Sequence, residues 1–404
     1  MLENIEKKFS WFPLIIFIII LSFYIVSIYN YEISLTKYVY IENLINYEGG
    51  IVRRGFLGNV IYYLNYFTKI KAIYITTVLY TFLYLILIFL LYGITKKLWF
   101  NNVPLFILIV CSPSTILFPI FDFNALFRKE VFFFIIYFYH VLIAQKVIEG
   151  TLTLEGYNKR NLFLISPIIL INILIHEFQF FLILFHVFIN LIVSNNKISK
   201  NTFFTYIVYV LVFCIFLFPA SNEALQAINQ SLEKFLPGIT NEYSPVTILS
   251  GNINLQLGQT LWFIKNSSLN NFFQLIFVFF LSLPLFLYFF LTKLSDKYLF
   301  NNFKKIISLF NIYLLFLFCF FIILSFDSGR LINILLIHLI GFYLIFPAEN
   351  YKLVKLNLIK KVFLFCFICI YLIFFYLPSG PIFAGKGTIF EKSKYGLIKL
   401  IYLK

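Results

Sequence analysis

The sequence predicts an all-α, polytopic integral membrane protein, and three observations carry that expectation. Hydrophobic residues make up 61% of the 404 and charged residues only 12%, whereas soluble domains are roughly 45–50% apolar and about 25% charged. The apolar residues fall into continuous runs of about 17–23, the length needed to cross a bilayer as a helix. A bilayer core offers the backbone no hydrogen-bond partner, so a spanning segment is a helix or part of a closed barrel, and runs this long select the helix. No internal repeat or second domain is evident, so residues 1–404 read as a single transmembrane domain.

The first run, Trp11 to Tyr31, follows Lys7 and Lys8. No small-residue cleavage site succeeds it, so it reads as a retained span. Residues 32–72 are mixed. Leu57, Val60, Ile61, Leu64 and Phe67 recur at the spacing of one helical face, a stripe suited to lying in the membrane interface. A looser stripe (Leu35, Val39, Ile41, Leu44, Ile45) precedes it, and Gly49-Gly50 separates the two. Further spans read at 73–95, at 103–121 (bent by Pro104, Pro113 and Pro119) and at 131–148.

The apolar run from Leu162 to Ser194 is too long for one crossing. Its 33 residues would make a helix of about 50 Å against a hydrocarbon core of about 30 Å. His176-Glu177 interrupts it midway, so 162–194 reads as a short hairpin of two segments. Spans at 203–219, 272–292, 306–326, 331–347 and 362–378 bring the count to about 11. The segment 220–271 is the one large loop, opening with an amphipathic helix (Leu225, Ile228, Leu232, Phe235) that Pro237-Gly238 ends.

Charge tests this layout. With the N-terminus in the cytoplasm, the inner segments hold 17 basic and 6 acidic residues, the outer ones 15 and 11, as positive-inside bias requires. A single span over 162–194 would carry the later lysine clusters, Lys293 to Lys305 and Lys352 to Lys361, to the outside, so the hairpin is preferred. The net +15 then reflects topology signals and anionic lipid rather than nucleic acid. All five cysteines lie in apolar runs, and Cys366-x-x-Cys369 reads as two small apolar side chains. The stretch Gly380 to Gly387 imitates a phosphate-binding loop, but Gly387 stands where Ser or Thr is needed. The histidines His140, His186 and His338 read as core residues; no metal-ligand spacing is evident, and no metal or cofactor is expected.

Arginine is scarce and unevenly placed. Only five of the 32 basic residues are Arg, and on this layout four of them (Arg53, Arg54, Arg128, Arg330) are outside, where positive-inside bias would not put them. The stretch from Tyr47 to Gly58 holds Glu48, Arg53-Arg54 and four glycines. The turn from Asp122 to Glu130, the hairpin tip His176-Glu177 and the turn Asp327 to Arg330 bring carboxylates and a histidine to the same side. Arg53, Arg54, Arg128 and Arg330 are therefore candidate phosphate-binding groups, because a guanidinium fork grips phosphate at two points where an ammonium makes one. Glu48, Asp122, His176 and Glu177 are candidates to orient or deprotonate an attacking hydroxyl. Such a site beside an apolar body suits a substrate with an anionic head and a hydrocarbon tail, of which a lipid-linked sugar diphosphate is the obvious class.

A single apolar chain of this size, rich in Phe, Ile, Tyr and Asn, with outer-face arginines and one large loop, resembles the O-antigen and capsular polysaccharide polymerases (Wzy-type). More loosely it resembles the integral-membrane glycosyltransferases that use polyprenyl-linked donors, which place a carboxylate and interfacial helices in the first outer loop, as Glu48 stands here. The resemblance implies a glycosyltransferase joining repeat units on undecaprenyl diphosphate at the periplasmic face of a bacterial inner membrane. It makes 32–72 outer-face interfacial helices and 220–271 a periplasmic loop. The partners it implies are a polyprenyl-diphosphate-linked glycan, membrane lipids and a chain-length regulator. A lipid-linked oligosaccharide flippase and a membrane acyltransferase with His176 as base are the alternatives.

Overall fold

The computed structural model describes residues 11–29, 37–121, 125–195, 199–235, 245–250, 292–294, 301–324, 328–346 and 351–353, with Gly258 and parts of 362–372. The regular elements among these residues are helical, as the sequence predicts, apart from one short antiparallel pairing of Thr292–Leu294 with Tyr351–Leu353. The expected span at 272–292 up to Thr292, most of the one at 362–378, Asp122, Asp327, the stretch Gly380 to Gly387 and most of 236–271 lie outside the described residues.

Among the described residues, four helices are long and apolar enough to cross a membrane. They are α1 (Phe12–Tyr29), α4 (Ala72–Asn101), α6 (Glu130–Ile148) and α7 (Leu154–Ile175), numbered with the intervening α2 (Lys37–Leu44), α3 (Gly55–Thr68) and α5 (Val103–Val110). Shorter apolar stretches lie in α8 (Gln179–Val193), α9 (Lys200–Ile215), α11 (Asn301–Leu324) and α12 (Ser328–Leu344), while α10 (Asn222–Glu233) is amphipathic.

Helix α6 forms the middle of the bundle, packed by α4, α8 and α12. Its aromatic residues fill the core: Tyr137 is fully buried and donates to the His338 carbonyl at 2.7 Å. The three core histidines are less separate than their sequence positions imply. Nδ1 of His140 lies 2.9 Å from Nδ1 of His186 on α8, and Nε2 of His140 lies 2.7 Å from the Tyr157 hydroxyl on α7. Tyr157 in turn donates to Asn190 at 2.5 Å. A polar group far from water is costly unless bonded, and this chain bonds three helices together.

Two expected elements change. The bent span at 103–121 is not one helix: α5 stops at Val110, Cys111 to Leu117 form turns, and Phe118–Phe121 add a single helical turn. Pro113 cannot donate a helical hydrogen bond. Thr115 spends its hydroxyl on the carbonyls of Ile109 and Ser112, at 2.8 and 2.9 Å, so side chains satisfy backbone that a helix would otherwise close. The hairpin at 162–194 does break at His176-Glu177, but its first arm begins at Leu154 and runs 22 residues. At 1.5 Å per residue that is about 33 Å, long enough to span. A π-helical turn over Asn161–Ile165 lies inside this arm.

At one end of the bundle a second, smaller core joins α2, α3, α10 and the turn Thr247–Ser250 around Leu44, Ile61, Ile228 and Leu249. The amphipathic opening of the large loop therefore packs on the interfacial helices of 32–72. Asn46 clamps it by donating to the Ser231 hydroxyl at 2.5 Å. Outward, α3 presents Val60, Tyr63, Leu64, Tyr66 and Phe67, an aromatic and aliphatic face suited to the membrane interface.

Candidate functional site

Beneath this cap, at the junction of α2, α3, α6 and the α7–α8 break, three cations and a histidine surround one carboxylate. Glu42, on the inner side of α2, is only 4% exposed. Arg54 donates to it from Nη1 at 2.8 Å, Arg128 from Nη1 at 3.2 Å, and His176 Nε2 stands 3.7 Å away. Arg54 also reaches Glu177, with Nε at 2.9 Å from both carboxylate oxygens and Nη2 at 2.6 Å from Oε1. Lys129, 2% exposed, donates to the Arg54 carbonyl at 3.1 Å.

Local sequence explains how these groups meet. Gly50, at φ +107°, turns the chain between the interfacial helices in a conformation that side chains disfavour. Arg54 itself is left-handed at φ +65°, a strained choice for a residue with a Cβ, and it directly precedes α3. Gly58 lets α3 approach α2 so closely that a Cβ there would overlap the backbone of Leu44 and Ile45. Asn43 fixes the other partner: it donates to the Phe127 carbonyl at 2.7 Å and accepts from Tyr80 at 2.7 Å, holding Arg128 against Glu42. At the α7–α8 break His176 caps α7, and Asn172 ties that end to the start of α6 through the Phe132 carbonyl at 3.2 Å.

Electrostatics follows from this crowding. Burial alone would raise the Glu42 carboxyl, but Arg54, Arg128 and Lys129 outweigh it and hold Glu42 well below the usual carboxylate range. Glu177 is held down in the same way, chiefly by Arg54. Burial, aided by repulsion from Arg54, brings Lys129 down to about 8. His176 falls to about 3, by burial first and Arg54 second. Its tautomer is set by geometry: the Phe178 N–H donates to His176 Nδ1 at 3.1 Å, so the ring proton is on Nε2, facing Glu42.

A second compartment adjoins the first through Arg128. Arg330 at the start of α12 places Nε 3.3 Å from Oε1 of Glu130. Both residues line a cavity of about 30 Å³ together with Arg128, Tyr24, Tyr84 and Asn333. Across both compartments five cations (Arg53, Arg54, Arg128, Lys129, Arg330) face three carboxylates (Glu42, Glu130, Glu177).

Of the residues singled out in the sequence, Arg54, Arg128, His176 and Glu177 meet directly, Arg53 lies within electrostatic reach of Glu177, and Arg330 lies in the adjoining compartment. Glu48 does not join them: it is exposed, bonded to the Tyr62 hydroxyl at the surface. Lys129 and Glu130 belong to the turn that the sequence brings to this side but had been given no role, and Glu42 was missed. Glu42 had a readable signal, since it stands three residues from both Val39 and Ile45 on an apolar face, where a carboxylate requires a partner. Among the described residues no three of His, Cys, Asp and Glu converge as a metal site. Compared with known proteins, the chain matches no family model, no curated protein and no solved structure.

Proposed function

We propose that the chain is an integral-membrane glycosyltransferase that joins undecaprenyl-diphosphate-linked oligosaccharide units during surface polysaccharide biosynthesis, at the periplasmic face of a bacterial inner membrane. In this reading the N-terminus is cytoplasmic, about 11 segments cross or enter the bilayer, and the charged end of the bundle is the outer one. The observation that carries it is the gathering of Arg54, Arg128, Lys129 and Arg330 beneath a cap whose α3 face is apolar and aromatic. A diphosphate head and a hydrocarbon tail are complementary to those two surfaces.

Transfer forms a bond from an acceptor hydroxyl to the sugar's anomeric carbon and breaks the bond from that carbon to the diphosphate oxygen. The departing diphosphate takes the electron pair, and arginines stabilise the charge that develops there. Arg54 already spends three of its five N–H donors on Glu42 and Glu177, so its part is largely to position those carboxylates. Arg128, shared by both compartments, and Arg330 are the better-placed phosphate ligands in this scheme. The acyltransferase alternative is disfavoured because the lone pair that His176 would need as a base is occupied by the Phe178 N–H.

Deleting the gene and resolving surface glycan and lipid-linked intermediates tests the proposal. Loss of a polymerase leaves single repeat units on the acceptor or the carrier. Units trapped on the cytoplasmic side identify a flippase instead, and full-length polymer lacking an ester identifies an acyltransferase.

A further inference from the structure

We propose that the groove between α7 and α9 holds one acyl chain of an anionic phospholipid, whose phosphate headgroup is received by Arg160 and Lys200 at its mouth. The groove lies toward the end of α7 away from the charged site, and it does not depend on the glycosyltransferase reading. Its volume is about 430 Å³, within the roughly 300–1,000 Å³ of cavities that take small-molecule ligands. Its apolar walls are Leu162, Pro167 and Leu170 from α7 and Phe204 and Val208 from α9. Phe204 and Val208 are exposed, so the groove opens to the bilayer beside a helix long enough to cross it.

Local sequence produces this gap between two apolar helices. At the π-helical turn the Ser166 N–H reaches back to the Asn161 carbonyl, a widened turn of the kind often found at functional positions. Pro167 follows directly and has no N–H to give. From α9 the buried Tyr209 donates to the Ser166 carbonyl, and Thr205 donates to the Asn201 carbonyl, each at 2.9 Å. Both hydroxyls are spent on backbone, and the surface they leave is largely hydrocarbon. A cavity of that character favours an apolar occupant over water.

Where the groove begins and ends sets the length and charge of its occupant. From Leu162 to Leu170 helix α7 rises about 12 Å, close to the roughly 15 Å that one leaflet contributes to a hydrocarbon core. A chain confined to one leaflet fits that length, and a polyprenyl tail is far longer. Arg160 stands just before Leu162 and Lys200 just before Asn201, both exposed at the same end of the groove. Glu155, the only carboxylate in 154–170 or 199–209, is paired with Lys159 at 2.8 Å. The N-terminus of α9 adds the positive end of its dipole. Arg160 is also the one arginine that the charged site does not gather. In the orientation proposed above, this cationic mouth faces the cytoplasmic leaflet, whose surface potential is negative.

Native mass spectrometry of the full-length protein in detergent, with phosphatidylglycerol or phosphatidylcholine added, tests the site. The wild type is expected to retain phosphatidylglycerol in preference to phosphatidylcholine, by about fivefold for each cation. Arg160→Gln combined with Lys200→Gln is expected to erase that preference and leave the thermal midpoint unchanged, because both side chains are exposed. Val208→Trp sets an indole in the groove and is expected to lose the bound lipid; Leu162→Trp, at the other end, gives the same readout where Val208→Trp does not fold. Equal retention of the two lipids by the wild type, or an undiminished preference in the charge variant, overturns the headgroup site. A folded tryptophan variant that binds as the wild type does overturns the groove, and displacement of phosphatidylglycerol by polyprenyl diphosphate reassigns it to the carrier's tail. Joining of glycan units plays no part in these readouts, so their failure and that of the glycosyltransferase reading are separate.

Discussion

Arg54 meets Glu177 side-on, its Nε and Nη2 both donating to one carboxylate at 2.9 and 2.6 Å, while Nη1 turns to Glu42 at 2.8 Å. One guanidinium therefore joins the first interfacial helix to the α7–α8 break, segments that stand 123 residues from Arg54 in one direction and 12 in the other. The left-handed backbone at Arg54 and the Lys129 ammonium on its carbonyl are what aim the fork this way. The charged end of the bundle is held by this residue before any ligand arrives.

Replacing Arg54 by Ala leaves Glu42 and Glu177 buried with weakened neutralisation, and breaking a buried pair of this kind costs about 3–5 kcal/mol. Arg54→Ala is expected to insert into the membrane, lower the thermal midpoint in detergent and abolish chain elongation. Arg54→Lys is expected to restore little, because a single ammonium cannot serve both carboxylates. A normal ladder of polymer lengths in Arg54→Ala would exclude the role given to this residue.

His176 supplies a contrasting case. With Nδ1 accepting from the Phe178 N–H, Asn at this position can accept the same bond, so His176→Asn should cost less than about 10-fold in joining rate, against the 10²–10⁴ that loss of a general base costs. Rates measured from pH 6 to 8 check this. A drop of several hundredfold would return His176 to the role of base.

How much of this was legible in the sequence depended on the length scale of the signal. The spans at α1, α4 and α6 announce themselves because hydrocarbon thickness imposes a length, and the break at His176-Glu177 follows from the same constraint. The region 103–121 defeated that reasoning: apolar content continues through Ser112, Pro113, Ser114 and Thr115, but side-chain hydroxyls there capture the backbone. At the site, scarcity pointed to Arg54 and Arg128. It could not distinguish Glu48, in a glycine-rich turn and exposed, from Glu42, hidden within an apolar stripe. That choice is made by which face of α2 meets α3, and it requires tertiary packing.

The close approach of those two helices gives a further test. A Cβ at position 58 would overlap the backbone of Leu44 and Ile45, neither of which is a flexible side-chain end that can swing away. Gly58→Ala is expected to destabilise the cap by about 1–3 kcal/mol, the usual range for overpacking, and to displace Glu42 from Arg54. Thermal unfolding of the purified variant measures the first effect. Unchanged stability together with full activity would show that α2 and α3 can separate without consequence.

Lys129 and His176 give the site an expected pH dependence with two separate windows. Both groups have folded-state values below their ordinary ones, Lys129 at about 8 against 10.5 and His176 at about 3 against 6.5. Within each window the unfolded chain binds the proton that the folded chain has given up, so stability rises with pH. Going down in pH, stability is therefore lost between 6.5 and 3 through His176, whose neutral ring cannot accept a proton beside Arg54. Going up, it is gained between 8 and 10.5 as Lys129 sheds its buried charge. Anion binding runs the other way in the upper window: above pH 8 the neutral amine removes one of the cations gathered at the site, and affinity for undecaprenyl diphosphate should fall as pH rises through 8. Thermal midpoints and binding measured at pH 7 and pH 9, on the wild type and on Lys129→Met, separate these opposed trends. The variant should lose both the gain in stability and the fall in affinity. If it keeps them, the titrating group is not Lys129.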